Sequence, residues 1–159
     1  MNDRDYMRSV IAGAICALRR GDEQQALVLF GKLAGAAGLP VRHGVLELAE
    51  ANVSMLRTLT GHRPGDDLVF TVADDTPGIG SIDDADPAQR TTARIVLALA
   101  NGYPDDAEVQ LDITADAPDP SSTGQVFAHM MGWTLELLDL CESEDHPVPG
   151  WLEPVVTGN

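Results

Sequence analysis

The chain has 159 residues, of which 44% are hydrophobic and 4% are aromatic, so it can form one compact domain with a core of small aliphatic side chains and is not wholly disordered. Its formal net charge of −15 disfavours nucleic acid as a direct partner, because proteins bind phosphates chiefly through Lys and Arg. The two cysteines show neither disulfide-type nor zinc-type spacing, and no apolar run approaches the ~18 residues of a membrane span. We therefore expect a cytoplasmic protein that does not enter a membrane.

Residues 1–63 predict a first unit of three helices. Apolar residues at intervals near 3.6 indicate a helix over about residues 4 to 20, which ends at Gly21. A capping pattern at Asp22 then starts a second helix, which runs to a Gly-rich stretch at 35–38. The third helix, over about residues 40 to 60, carries an apolar seam for packing on its neighbours, and the polar exception in that seam is Asn52.

Residues 64–85 form an acidic connector. Its segment 68–72 is apolar enough for a short strand, and the rest is rich in Asp, Pro and Gly, as turns are. Converging carboxylates would suit a hard cation, but an EF-hand starting at Asp74 needs a Gly and a Glu where Ile79 and Ala85 stand. We therefore interpret the connector as a solvated linker, with an acidic patch for a partner as the alternative, and expect no metal site.

Residues 86–142 predict a second unit of three helices. Asp86 caps a helix that stops at Gly102, and Pro104 opens the next one. Residues 108–115 are ambiguous, because apolar and polar side chains alternate there as in a half-buried strand. We expect a helix, with a short strand as the alternative. The last helix spans about residues 121 to 142 and has the cleanest apolar seam in the chain.

The Pro-rich tail, residues 143–159, cannot form a long helix. Its Trp151 and Leu152 form an apolar pair next to prolines. Such a pair either folds back over the helical body or serves as an exposed docking peptide, and we expect it to fold back.

The two units align with each other at a constant offset of 81 residues, without gaps. Thirteen of the 58 aligned positions are identical, most of them apolar, and Gly21 matches Gly102. The predicted fold is therefore all-α, with two pseudo-repeats of three helices in one compact domain. Asn52 on one seam corresponds to Trp133 on the other, so the halves are not interchangeable.

Charge also separates the two halves. Residues 1–63 contain eight Arg and Lys against six Asp and Glu, whereas residues 64–159 contain two against nineteen. A strongly acidic surface accelerates encounter with a basic protein. The second half and the connector are therefore where we expect a binding function.

No pattern in the chain indicates catalysis or a cofactor. Cys16 and Cys141 lie in apolar helical stretches, where a thiol is expected to be buried and inert, and His129 lies on a polar helix face. Phosphate-binding and dinucleotide-binding glycine motifs are absent from the sequence.

The sequence therefore predicts a non-catalytic protein-interaction or regulatory module that binds a basic or apolar protein partner. The alternatives are a nucleic-acid mimic that inhibits a DNA- or RNA-binding protein, a small metal-dependent enzyme using Asp residues, and a body that mainly forms a homodimer. The candidate partner-binding residues are Asp74, Asp75, Asp83, Asp84, Asp86, Trp151 and Leu152.

Overall fold

A computed structural model describes residues 2–35, 41–63, 86–119 and 121–157, and within them it contains helices and no strand. The all-α prediction is confirmed. The helices are α1 (Asp3–Arg19), α2 (Glu23–Gly35), α3 (Val41–Thr60), α4 (Pro87–Ala100), α5 (Pro104–Ala115), α6 (Ser122–Ser143) and the short α7 (Glu153–Thr157). The connector and the strand proposed for residues 68–72 lie outside the described residues.

Residues 108–115 belong to helix α5, so the alternative of a short strand there is wrong. The buried face of α5 consists of Ala107, Leu111 and Thr114, which recur at helical spacing. Val109 and Ile113 point to solvent on the other side, with 50% and 60% of their surface exposed. The strand-like alternation arises because apolar residues occupy both faces of one helix.

The helix ends follow from local chemistry that the sequence predicts. Gly21 and Gly102 both have a positive φ, 76° and 81°, which a residue without Cβ adopts at little cost. The amide that follows each glycine donates back to the helix, from Asp22 N to the Ala17 carbonyl and from Tyr103 N to the Ala98 carbonyl, both at 2.8 Å. The two turns therefore end α1 and α4 in the same way.

The boundaries of the helices keep the spacing of the internal alignment. Helices α2 and α5 begin at residues 23 and 104, α3 and α6 at 41 and 122, and α1 and α4 end at 19 and 100. This regularity is what a duplicated chain would show, and duplication stays a prediction.

The longest helices, α3 and α6, pack most extensively on each other and form the centre of the bundle. α1 packs on α2 and α4 on α5, while α4 also contacts both central helices. One apolar cluster joins α1, α3, α4, α5, α6 and the tail. Its largest fully buried side chains include Ile11, Ile15, Leu48, Met55, Ile95, Leu111, Met130 and Leu138.

Asn52, the polar residue in the α3 seam, is completely buried against α6. The Thr134 hydroxyl donates to Asn52 Oδ1 at 2.8 Å, and Asn52 Nδ2 lies 3.4 Å from the Met130 carbonyl oxygen. Buried polar groups require such partners to offset their desolvation. Asn52 thus contacts residues one turn apart on α6, and Trp133 lies between them in sequence at the margin of the core.

Candidate interaction surface

Four of the seven predicted partner-binding residues, Asp74, Asp75, Asp83 and Asp84, lie outside the described residues. The fifth, Asp86, caps α4, because its Oδ1 accepts a hydrogen bond from Gln89 N at 3.1 Å. The same oxygen lies 3.7 Å from His129 Nε2. The structure therefore gives Asp86 a role in starting α4, and its role in binding a partner stays a prediction.

The tail residues Trp151 and Leu152 lie in a 3-10 turn that packs on α1. Leu152 is fully buried, and Trp151 is partly buried beneath the Arg8 guanidinium, which stands 5.6 Å from the ring centroid. Val155 follows Trp151 by four residues, and its carbonyl accepts a hydrogen bond from the Arg19 guanidinium at 3.2 Å. The tail folds back on the helical body as predicted, and in this arrangement Leu152 is part of the core.

Arginines of the first half neutralise part of the acidic second half. Arg42, at the start of α3, forms ion pairs with Glu108 and Asp112 of α5. The hydrogen bonds that Arg42 donates to Glu108 and Asp112 raise the pKa of Arg42 above its ordinary value. The charge separation along the sequence is thus partly compensated where the two halves meet in the fold.

Arg19 makes the corresponding link between α1 and α6. Its guanidinium contacts Glu142 and lies 3.3 Å from Asp139 Oδ1. The hydrogen bond with Glu142 raises the pKa of Arg19. Together with Arg42, it uses four of the acidic side chains of the second half.

The remaining acidic side chains leave a negative surface on the second half. Six exposed carboxylates there form neither an ion pair nor a side-chain hydrogen bond with any residue in the described ranges, whereas the exposed Asp119 accepts hydrogen bonds from Ser121. The six are Asp105, Asp106, Asp116, Glu136, Asp145 and Glu153. Because these groups are exposed and have no cationic partner in the described part of the chain, they attract a positively charged surface.

Three of these carboxylates share a face of α5 with its exposed apolar residues. Asp105 and Asp106 stand one turn before Val109, and Asp116 stands one turn after Ile113. We call these five residues the α5 acidic-apolar face. This face is not among the predicted partner-binding residues. Its sequence signal is the alternation around residue 110, because a half-buried helix needs only one apolar face and α5 has apolar residues on two.

A separate apolar groove of about 480 Å³ lies between α6 and the helices of the first unit, a volume typical of ligand pockets. Its large lining side chains are Leu18, Phe30, Val41, Phe127, Met131 and Leu135. The rings of Phe30 and Phe127 meet edge to face with centroids 5.6 Å apart. Because its lining side chains are apolar, the groove could bind an apolar group but has no side chain that would act as an acid, a base or a nucleophile.

The described residues do not assemble a recognisable catalytic centre. Burial raises the pKa of the Cys141 thiol, which keeps it protonated and unreactive. Cys16 was expected to be buried and is instead partly exposed beside Arg8 and Trp151. Within the described ranges, no three His, Cys, Asp or Glu side chains converge as metal ligands would.

Among the helices described, none combines the length and the apolar character needed to cross a bilayer. Comparison of the chain with protein-family models, with curated proteins and with solved structures finds no match.

Proposed function

We propose that this protein is a non-catalytic interaction module whose acidic second half binds a basic protein partner. The observation that supports this proposal is the set of six exposed carboxylates that remain after Arg19 and Arg42 have neutralised their neighbours. Uncompensated charge of one sign raises the rate of encounter with a surface of opposite sign and selects against acidic partners. The acidic surface also repels the same surface on other copies of the protein. A basic partner would neutralise this repulsion.

The position of Asp116 supports this proposal. Carboxylates that only stabilise a fold are expected near arginines or at helix N-termini, and Asp105, Asp106 and Glu153 do stand in the first turn of a helix. Asp116 has neither explanation. Asp116 follows the last residue of α5, where the helix dipole disfavours a carboxylate, and it has no cationic partner within the described part of the chain. A partner's Lys or Arg would supply the missing charge.

The test is affinity capture from the native lysate at two salt concentrations. Raising the salt from about 50 to about 300 mM shortens the Debye length from about 14 to about 6 Å, which screens contacts between exposed charges. We expect basic proteins to be retained at the lower salt and lost at the higher. Capture that is insensitive to salt, or no specific capture, would contradict the proposal.

A sequence-unrelated DNA duplex, added as a competitor, identifies the kind of basic partner. If the duplex displaces the captured protein, the acidic surface occupies a nucleic-acid-binding site, as a mimic would. If the duplex leaves the complex intact, the partner uses a basic surface dedicated to protein binding.

A further inference from the structure

We propose that the α5 acidic-apolar face is a docking site for a basic amphipathic helix of a partner protein. This inference rests on the proposed function and specifies where on the second half the partner binds and what chemistry it presents. Two observations support it independently: the exposure of an apolar pair on a helix whose opposite face is already buried, and the carboxylates at both ends of that pair.

The apolar pair is not needed to hold α5 on the bundle. Ala107, Leu111 and Thr114 already bury the face that contacts the other helices. Val109 and Ile113 lie on the other side and are four residues apart, so their side chains are neighbours about one turn apart. Together they form a short apolar ridge that water covers in the free protein.

The charges around this ridge specify the partner. Asp105 and Asp106 lie before the ridge and Asp116 after it, and within the described chain none of them pairs with a cation. Asp112 and Glu108, on the same helix, are already paired with Arg42. The available negative charge therefore lies at the two ends of the ridge.

The partner that complements this surface has apolar side chains in the middle and Lys or Arg about one turn away on each side. An α-helix supplies this pattern with apolar residues four apart, and its side chains can interdigitate with those of α5. A strand is disfavoured, because α5 is a helix with no sheet edge to which a strand could pair. Arg suits the flanking positions best, because its guanidinium can bind a carboxylate through two hydrogen bonds.

The probe for this proposal is a displayed library of randomised helical peptides selected against the whole protein. Selected peptides are then synthesised, and their affinities are measured by fluorescence anisotropy on the wild type and on matched variants. We expect the selection to enrich peptides with an apolar pair four residues apart and Lys or Arg beside it. Enrichment of peptides without basic residues, or of none, overturns the proposal.

Val109→Ser together with Ile113→Ser removes the ridge, and we expect it to weaken binding of the selected peptides by about tenfold or more. The matched control is Leu27→Ser with Val28→Ser on α2, where both residues are also exposed, at 69% and 51%. We expect this control to stay within about twofold of the wild type. All four side chains are at least half exposed, and circular dichroism confirms that each double variant is folded.

A second pair of variants tests the charges. Asp105→Asn, Asp106→Asn and Asp116→Asn together should weaken binding and reduce its dependence on salt. The control neutralises three exposed carboxylates elsewhere in the second half, Glu136, Asp145 and Glu153, to the corresponding amides. Equal effects of the two triple variants would show diffuse attraction and would overturn a docking site on α5.

The two proposals fail in different ways. If lysate capture is sensitive to salt but the selected peptides bind the α5 variants as tightly as the wild type, the docking site is wrong and the proposed function stands. If lysate capture recovers no basic partner, the proposed function fails whatever the peptides do. If peptide binding depends instead on Leu27 and Val28, the site belongs to α2.

Discussion

The contact between Asn52 and Thr134 gives the sharpest prediction about how the two halves are held together. Thr134→Val replaces a hydroxyl by a methyl of similar size and leaves Asn52 Oδ1 without its 2.8 Å donor in a fully buried position. An unsatisfied buried acceptor costs about 1–3 kcal/mol, and the added methyl returns about 1 kcal/mol through burial. The two terms together give about 0–2 kcal/mol, and we expect the free energy of unfolding to fall by about 1 kcal/mol.

Asn52→Leu should cost less than Thr134→Val, although it is the larger chemical change. It removes the buried amide altogether, and the Thr134 hydroxyl can donate instead to the Met130 carbonyl of its own helix, which lies 2.9 Å away. Replacing a polar group by an apolar one of similar size, while its partner keeps another acceptor, is nearly neutral. We expect a change in unfolding free energy within about 1 kcal/mol.

Urea denaturation of the wild type, the two single variants and the double variant measures the coupling between the two positions. In the Asn52→Leu background, Thr134→Val should cost no more than about 0.5 kcal/mol, which gives a coupling energy of at least about 0.5 kcal/mol. If Thr134→Val has the same effect in both backgrounds, the two side chains do not interact as described and the reasoning is refuted.

Four further outcomes are expected. Gly132→Ala should raise the free energy of unfolding by about 0.5–1 kcal/mol, because in mid-helix the added Cβ would meet no atom within 4 Å beyond its chain neighbours and the nearby backbone of its own helix. Gly44→Ala should give a free energy of unfolding at least about 1 kcal/mol lower than Gly132→Ala does, because its Cβ would meet Phe127 at 3.0 Å. Equal melting curves for the two variants would contradict this. In the folded protein a thiol reagent should label Cys16 faster than Cys141, and equal rates would contradict the burial of Cys141. Burial raises the pKa of Cys141, so the folded state holds the thiol proton more tightly than the unfolded state does. The free energy of unfolding should therefore not depend on this group below about pH 8.5 and should fall as the pH rises further. Cys141→Ala should remove that fall.

The helices could be predicted from the sequence because their signals are local. Apolar periodicity, the capping carboxylate of Asp86 and the glycines at positions 21 and 102 each act within a few residues of the helix they define. The central pairing of α3 and α6 also follows from the two long apolar seams, because both need a partner of similar length.

The individual side-chain contacts between the halves could not be predicted, because they join residues far apart in sequence. Arg42 meets Glu108 across 66 residues, and Asn52 meets Thr134 across 82. The internal alignment matches Asn52 with Trp133, whereas its partners are Met130 and Thr134. An alignment gives equivalent positions, and it does not give the rotation of one helix against another.

The α5 acidic-apolar face could not be predicted from the alternation of apolar and polar residues. Alternation over residues 108–115 favours a strand when one face is assumed to be buried. In the folded chain Leu111 is buried while Val109 and Ile113 are exposed, so the apolar residues serve two faces of one helix. Only the tertiary arrangement shows which of the two faces the bundle buries and which one it leaves exposed.

The most direct measurement compares capture from the native lysate by the wild type and by a variant in which the six unpaired carboxylates of the second half are changed to amides, at about 50 mM salt. The binding proposal predicts that a basic partner is recovered by the wild type and is lost with the variant, while both proteins remain folded. Equal recovery of the same partner by both proteins would contradict it.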